Sequence, residues 1–265
     1  MISYIGGKSN IGKWIKDYVP RDIETYVETF GGMFWVFFNL DHQYYHNLKT
    51  VVYNDFNQLN TNLFECARHP RALFAKLCEP DYAHQEKGVK ETPPEFEQKF
   101  NEFRDEIFAD GYEITDPYET ACKYAYVLCQ VFSGTAPEKA KFMDYKGEYT
   151  CKLDSFKNKL YSSKWQEMFS RITNTENLDF QEVIEKYDSP TTYFYVDPPY
   201  WKTENYYSAH DFDRDDHERL ANCLKKSKGK WSLSYYAFDL LEQWFPKYKY
   251  LWETKEFQKL ASTKT

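Results

Sequence analysis

The chain has 265 residues, of which 42% are hydrophobic and 20% aromatic, and this composition excludes a disordered or fibrous protein. Its longest segment without Asp, Glu, Lys or Arg runs from 124 to 137, which is shorter than the roughly 20 apolar residues of a membrane span. The net charge of −7 is concentrated in residues 79–119, which hold thirteen acidic and four basic residues, so that the rest of the chain is slightly positive and compatible with a nucleic-acid partner.

The first residues and the cysteines predict a cytoplasmic protein. The sequence begins MISYIGGK, without the apolar segment and cleavage site of a secretory signal. Six cysteines occur at irregular spacing with no CxxC pair, as is typical of buried thiols in a reducing compartment.

The first sixty residues predict an α/β arrangement. A short strand at 26–28 leads into Phe30-Gly31-Gly32 and a helix over 33–40. A second strand at 50–53 ends at Asn54-Asp55 and is followed by another helix. Two successive strand–turn–helix units predict a parallel sheet with right-handed crossovers.

The middle of the chain changes character, and helical patterns dominate residues 66–165. Thr92 with Glu95 predicts a capping box at the start of one helix, and Asp116 predicts the start of another. We therefore expect a mainly helical domain at 66–165, inserted into a catalytic domain formed by residues 1–65 and 166–265.

The α/β pattern returns after residue 176. Hydrophobic runs predict strands at 191–196 and 231–235, and a further strand at 248–252. A helix is expected over 213–226, where an acidic cluster caps its first turn.

The sequence Asp197-Pro198-Pro199-Tyr200 directly follows the strand at 191–196. Ligands of open parallel sheets bind beyond the carboxyl ends of the strands, so this turn is a candidate site. A carboxylate and a rigid carbonyl would accept the two N–H bonds of an exocyclic amine, and Tyr200 offers a ring for stacking. The alternative is an ordinary strand-ending turn.

A second candidate site lies at the first strand–helix junction. Gly31 and Gly32 let the backbone approach a ligand, and Glu28 supplies a nearby carboxylate. Asp55 occupies the position of an acidic residue that binds ribose hydroxyls. The alternatives are a tight turn that needs glycine and a helix N-cap at Asp55. The dinucleotide pattern GxGxxG is absent, which disfavours an NAD-dependent oxidoreductase.

Taken together, these motifs resemble those of the Dam-type DNA adenine-N6 methyltransferases. The resemblance rests on Tyr4-Ile5-Gly6-Gly7-Lys8, on Glu28-Thr29-Phe30-Gly31-Gly32, on Asn54-Asp55 and on the DPPY motif, in that order. It implies a Rossmann-like methyltransferase sheet, S-adenosylmethionine as cofactor and double-stranded DNA as substrate. Met33 departs from the pattern, since many members carry a third glycine there.

The resemblance also implies roles for individual residues. Asp55 would hold the cofactor's ribose, and Asp179-Phe180 its adenine. The cofactor-binding residues implied are Tyr4, Lys8, Glu28, Phe30, Gly31, Gly32, Asp55, Asp179, Phe180 and Asp197. The catalytic residues implied are Asp197, Pro198, Pro199 and Tyr200, with no metal.

Recognition of DNA is assigned by the resemblance to the helical insertion. Phe132, Ser133 and Gly134 are similar to the segment that enters the duplex, while Lys139, Lys141 and Lys146 are expected to meet phosphates. Many members read GATC, but the hairpin typical of GATC readers is not evident in residues 143–153, so the recognition sequence stays open. The other interpretations are an RNA or protein methyltransferase of related fold, or a catalytically inactive DNA-binding module.

Overall fold

One parallel sheet forms the centre of the molecule. The computed structural model describes residues 11–85, 88–131, 136–144, 152–201 and 212–256. The strands in these ranges are β1 Thr25–Glu28, β2 Thr50–Asn54, β3 Asn174–Glu176, β4 Thr192–Val196 and β5 Lys230–Leu233. They lie in the order β3-β2-β1-β4-β5, and each neighbouring pair is parallel, which confirms the predicted α/β fold.

Helices pack on both faces of this sheet. None in the described ranges is long and apolar enough to cross a membrane. Their bounds are α1 Gly12–Ile15, α2 Trp35–Asn39, α3 Gln58–Ala67, α4 Pro70–Leu77, α5 Pro94–Ile107, α6 Pro117–Cys129, α7 Lys152–Tyr161, α8 Ser163–Ser170, α9 Phe180–Tyr187, α10 Arg214–Lys226 and α11 Asp239–Trp244.

Side chains of the central strands alternate between two hydrophobic clusters. Tyr26 and Tyr193 belong to the cluster that contains residues of α2, α3, α4 and α6. Val27 and Phe194 belong to the cluster on the opposite face, with residues of α9, α10 and α11. Because both faces are covered, the central strands are continuous hydrophobic runs, as is typical of parallel sheets.

The helices between β2 and β3 share the first of these clusters. Helix α6 is almost completely buried and packs mainly against α3 and α5. Residues from α3 through α8 join the sheet's tyrosines in one continuous core. The division at 66–165 stays a prediction; its two boundaries fall inside α3 and α8.

Two predicted helix starts are confirmed and one is wrong. The Asp116 side chain accepts the Glu119 N–H at 3.0 Å and caps α6, and Asp213 caps α10 with a reciprocal capping box. Thr92 does not cap α5, because the helix begins at Pro94 and the Thr92 hydroxyl bonds to Asp144 instead.

The remaining differences concern short elements. Helix α2 begins later than predicted because Gly32 and Phe34 adopt positive φ angles of 48° and 56°. Residues 248–252 form no strand, since the Tyr250 N–H turns back to the Pro246 carbonyl at 3.1 Å. Strand β3 was not predicted, because this edge strand is short, polar and only partly buried.

Candidate functional site

The carboxyl ends of the three central strands bring the predicted motifs to one edge of the sheet. Glu28 is in register with Tyr53 of β2 and with Tyr195 of β4. The residues that follow these strands therefore emerge side by side. They are the glycine turn, defined here as Phe30-Gly31-Gly32, then Asn54-Asp55, and the DPPY turn, defined as Asp197-Pro198-Pro199-Tyr200.

The glycine turn is held closely against the end of β2. The Gly31 N–H donates to the Asn54 carbonyl at 2.7 Å, and the Tyr53 hydroxyl donates to the Gly32 carbonyl at 2.9 Å. A Cβ atom at Gly31 would lie 2.4 Å from the Tyr53 ring, so only glycine fits there. At Gly32 the left-handed φ of 48° favours glycine for a different reason.

Asp55 fixes the glycine turn at Gly32. Its carboxylate accepts the Gly32 and Asn57 N–H groups at 2.8 Å each and the Asn60 side-chain amide at 3.1 Å. Burial raises the pKa of Asp55, whereas these hydrogen bonds lower it, and the burial effect is the larger. Asp55 thus fixes the turn and remains partly exposed at the sheet edge. Asn57, not Asp55, caps α3.

Glu28 lies beneath the turn rather than at its surface. Only 2% of Glu28 is exposed. Its Oε1 accepts the Tyr26 hydroxyl at 2.8 Å and the Phe37 N–H at 2.9 Å, so it ties α2 to β1. Glu28 was predicted to face a cofactor, and in the structure its carboxylate supports helix α2.

Asn54 is a site residue to which the sequence analysis gave no role. Its side-chain amide donates to the Thr29 carbonyl at 2.8 Å and to the Leu178 carbonyl at 3.1 Å. Its Oδ1 accepts the Leu178 N–H at 3.0 Å. One buried amide thus joins the segments that follow β1, β2 and β3. Its place directly before Asp55 was the only available signal.

Phe180 packs against the glycine turn, and Asp179 directly precedes it at the start of α9. The Phe180 ring stacks on Phe30 with centroids 5.8 Å apart, and both rings contact Phe212. Asp179 caps α9 and accepts two hydrogen bonds from Arg219, at 2.6 and 2.9 Å.

Arg219 itself was not predicted. Its guanidinium lies 4.1 Å from the centre of the Phe180 ring and also bonds to Asp216. The hydrogen bond to Asp179 raises the pKa of Arg219 above its usual value. Arg219 thereby fastens the first turn of α10 to the first turn of α9.

The DPPY turn follows β4 directly. The Tyr200 hydroxyl donates to Asp197 Oδ1 at 3.0 Å, and both prolines are buried. Because proline has no N–H, neither Pro198 nor Pro199 donates a backbone hydrogen bond to the neighbouring carboxylate. Burial, followed by the charge of Asp197, raises the pKa of Tyr200, so the hydroxyl keeps its proton.

Two tyrosines that pack beside Tyr200 were also not predicted from the sequence. Tyr200 contacts Tyr236 edge-on at 4.4 Å between centroids and Tyr235 at 5.7 Å. Both tyrosines follow β5, the strand next to β4, and Tyr236 is 38% exposed. Their position at the end of a hydrophobic run is the sequence signal that could have placed them at this edge of the sheet.

The other predicted residues are not brought to this edge by the described part of the chain. Lys139 and Lys141 are exposed near α5, where Arg104 donates to the Ala140 carbonyl at 2.7 Å. No group of three or more His, Cys, Asp or Glu suited to a metal ion occurs in the described ranges. Outside those ranges lie Tyr4, Lys8, Phe132, Ser133, Gly134 and Lys146.

These residues fit an adenosine-containing cofactor. Asp55 Oδ1 accepts one hydrogen bond within the protein, and a carboxylate oxygen accepts two, so it can also receive a ribose hydroxyl. The glycine turn presents backbone with little side chain, and Phe30 and Phe180 provide apolar ring surface beside it. Asp55 follows β2 and Asp197 follows β4, so the two carboxylates lie two strands apart at the same edge of the sheet.

Comparison with known proteins agrees with this geometry. The family model of the D12 class N6 adenine-specific DNA methyltransferases matches residues 4–259. The type II methyltransferase M.CviBI of Paramecium bursaria Chlorella virus NC1A is 21% identical over 250 residues, which cover 94% of this chain and 86% of the viral protein. The chain therefore belongs to the D12 class of N6 adenine-specific DNA methyltransferases, enzymes that take their methyl group from S-adenosylmethionine.

Proposed function

We propose that this enzyme methylates adenine at a specific site in double-stranded DNA and that the DPPY turn performs the chemistry. The observation that supports the proposal most directly is Asp197 at the carboxyl end of β4, hydrogen-bonded to Tyr200 and followed by two prolines. This turn lies at the same sheet edge as the glycine turn, where a cofactor is expected.

The amine of adenine needs activation before it can be methylated. Its lone pair is delocalised into the ring, which makes the nitrogen a poor nucleophile. The Asp197 carboxylate and the Pro198 carbonyl accept hydrogen bonds from the two N–H groups of this amine. These bonds favour a more tetrahedral nitrogen. Tyr200 holds one Asp197 oxygen at 3.0 Å and so orients the carboxylate toward the amine.

S-adenosylmethionine supplies a methyl group bonded to a positively charged sulfur. Bound beside the DPPY turn, the cofactor would supply an electrophilic methyl group to the amine nitrogen and would leave as the neutral thioether, and Asp197 would take the proton that the amine loses and pass it to water. The protein's contribution is to hold the two reactants in line, which by itself accounts for a large share of the acceleration.

Binding of the cofactor is assigned to the glycine turn and its neighbours. Asp55 receives a ribose hydroxyl at its Oδ1, and Asp179 with Phe180 binds the adenine ring. Tyr4 and Lys8 complete the pocket in this proposal. Arg219 supports Asp179 from behind through its paired hydrogen bonds.

The target adenine must leave the duplex to reach this pocket. A base inside a helix is out of reach of Asp197, so we expect it to be flipped and stacked on Tyr200. Tyr236, whose ring meets Tyr200 edge-on at 4.4 Å, would border the same space. Recognition of the surrounding sequence is left to the helical segment, with Lys139, Lys141 and Lys146 at phosphates and Phe132, Ser133 and Gly134 at the duplex.

The biological setting follows from the substrate and from the viral relative. That relative is a type II methyltransferase, so we assign this chain to a restriction-modification context. In keeping with the scattered cysteines and the lack of a secretory signal pattern in the first residues, we place the enzyme in the cytoplasm of a prokaryotic or phage-infected cell.

A methyl-transfer assay with labelled cofactor tests the proposal. Duplex DNA, single-stranded DNA, RNA and protein are offered to the same preparation, and the labelled product is digested to nucleosides. We expect label in duplex DNA, recovered as N6-methyladenine. Label only in RNA or protein, or in methylcytosine, would overturn it. Sequencing of methylated bases in DNA from expressing cells then gives the recognition site.

A further inference from the structure

A buried histidine beside the DPPY turn has no role in the proposed chemistry. His217 lies in the first turns of α10 and is 1% exposed. Its Nδ1 is hydrogen-bonded to the Tyr235 hydroxyl. Burying an imidazole among aromatic rings is unfavourable unless its polar atoms are satisfied, so this contact is part of what keeps the ring inside.

The imidazole contacts both halves of the site. Its centroid is 5.2 Å from that of Trp201, the residue directly after Tyr200. It is 4.7 Å from Phe212, which also packs against Phe30 of the glycine turn. Trp201 and Phe212 therefore both pack against the ring of His217.

The partner of His217 faces the catalytic tyrosine. Tyr235 lies 5.7 Å from Tyr200 between ring centroids. The residue before it, Ser234, is fixed by a 2.9 Å hydrogen bond to the hydroxyl of Tyr195 in β4. With its neighbour anchored to the sheet and its own hydroxyl anchored to α10, the Tyr235 ring has little freedom to move away from Tyr200.

Trp201 is restrained in the same way. It stacks on Phe238 with centroids 5.2 Å apart and ring planes 4° from parallel. His217 covers a further part of its surface. The DPPY turn is therefore flanked by two rings that both depend on His217, one through a hydrogen bond and one through packing.

We propose that His217 is a positioning residue for methyl transfer: by holding Tyr235 and Trp201 it keeps Tyr200, and through it Asp197, aligned with the target amine. This inference rests on the proposed role of the DPPY turn. It is expected to affect the rate of transfer more than the binding of cofactor, because the hydrogen bonds that fix Asp55 to Gly32 and Asn57 involve no residue of α10.

Three substitutions of His217 separate the hydrogen bond from the packing. His217→Phe keeps a ring against Trp201 and Phe212 but removes the nitrogen bonded to Tyr235. Asparagine places a polar atom near the position of Nδ1, whereas glutamine places one near Nε2. We expect kcat to fall about tenfold in His217→Phe and His217→Gln and to stay within about threefold of wild type in His217→Asn.

The measurements are kcat and KM on duplex DNA, cofactor affinity by calorimetry and the melting temperature of each variant. His46→Phe, at an exposed histidine, is the matched control and is expected to behave as wild type. A raised KM with unchanged kcat, or equal activity of the Asn and Gln variants, would overturn the proposal.

A double-mutant cycle makes the test independent of folding losses. Tyr235→Phe removes the other partner, so His217→Phe should cost little more in a Tyr235→Phe background. Additive losses would contradict the proposed hydrogen bond. Wild-type enzyme that transfers no methyl group to duplex adenine would refute the proposed function itself, whereas active wild type with an equally fast His217→Phe variant refutes only the role of His217.

Discussion

Asp55 and Asp197 lie at the same edge of the sheet, but their carboxylates accept hydrogen bonds from different kinds of donor. Asp55 is surrounded by donors from the protein, with two backbone N–H groups at 2.8 Å and the Asn60 amide at 3.1 Å. Asp197 is bonded to the Tyr200 hydroxyl and is followed by two residues that have no N–H. The first carboxylate is held mainly by backbone N–H groups, and the second accepts a hydrogen bond from a tyrosine side chain.

This difference suits two kinds of work. A carboxylate that fixes its own turn is suited to binding a cofactor in one orientation, because its position does not change during the reaction. A carboxylate followed by two prolines receives no backbone N–H from either of them, and this suits a group proposed to act on a substrate that arrives with the target base. Variants at the two positions should therefore separate binding from catalysis.

The largest effect is expected at Asp197. Asp197→Ala removes the acceptor of the amine hydrogens, and kcat should fall roughly 10³-fold, as when a main stabilising group of a transition state is deleted. Cofactor affinity should stay within about threefold of wild type, because Asp55 and the glycine turn are unchanged. Methyl-transfer rates and calorimetry measure the two quantities.

The control for this variant lies at the other end of the sheet. Asp22 precedes β1 and forms an exposed ion pair with Lys230 at 3.1 Å. Asp22→Ala removes a carboxylate of the same kind and should leave the rate unchanged. An Asp197→Ala enzyme that works at the rate of this control would refute the catalytic role of the DPPY turn.

The next largest effect is expected at Gly31. In Gly31→Ala the new methyl group meets the Tyr53 ring, 2.4 Å away, and the turn or the ring must move. We expect a loss of about 1–3 kcal/mol in the free energy of unfolding, as for other overpacked sites. A raised KM for the cofactor should accompany it. Chemical denaturation and steady-state kinetics provide both values.

Gly111→Ala distinguishes this clash from backbone strain. Gly111 has a φ of 76°, and a Cβ atom added there would have no neighbour within 4 Å, so alanine costs conformational energy alone. Its KM for the cofactor should equal that of wild type. If both variants raise KM equally, the special role of the glycine turn is wrong.

A smaller effect is expected from Asp55→Asn. The amide keeps the shape of the side chain but loses the charge and one acceptor atom. Hydrogen bonds to charged groups contribute about 1.5–3 kcal/mol, so the KM for the cofactor should rise about 10- to 100-fold with little change in kcat. A fall in kcat without a change in KM would reverse the division of work between the two carboxylates.

The parts of the candidate site that could be predicted from sequence are the segments that directly follow a hydrophobic strand. The glycine turn, Asp55 and the DPPY turn each come straight after a buried hydrophobic strand, so their shared edge follows from parallel pairing. Strand β3 was missed because its residues are polar, and 248–252 was misassigned because the Tyr250 N–H forms a turn with the Pro246 carbonyl.

The supporting residues were not predictable because they act across the fold. Arg219 lies forty positions from Asp179, and nothing local in α10 indicates which carboxylate it binds. Tyr235 meets Tyr200 only because β5 pairs with β4. Glu28 was expected to face a ligand, but its place on the tyrosine face of β1 directs it to α2. Such roles depend on tertiary packing, which a single sequence does not specify.

The smallest effect is expected from Tyr200→Phe. The variant keeps the ring for stacking and loses the 3.0 Å hydrogen bond to Asp197. One such bond to a carboxylate corresponds to about a tenfold fall in kcat. The KM for the cofactor should not change, since Tyr200 belongs to the DPPY turn and not to the residues proposed to bind the cofactor.

The pH dependence of this variant tests the same hydrogen bond in another way. Because burial and the charge of Asp197 raise the pKa of Tyr200 above its usual value near 10, the wild-type hydroxyl stays protonated throughout the range in which the enzyme is assayed. The alkaline limbs of kcat against pH should therefore coincide for wild type and Tyr200→Phe. If the wild-type limb alone bends downward below pH 10, then Tyr200 ionises while Asp197 is charged, and the donor that orients this carboxylate must be sought in another residue.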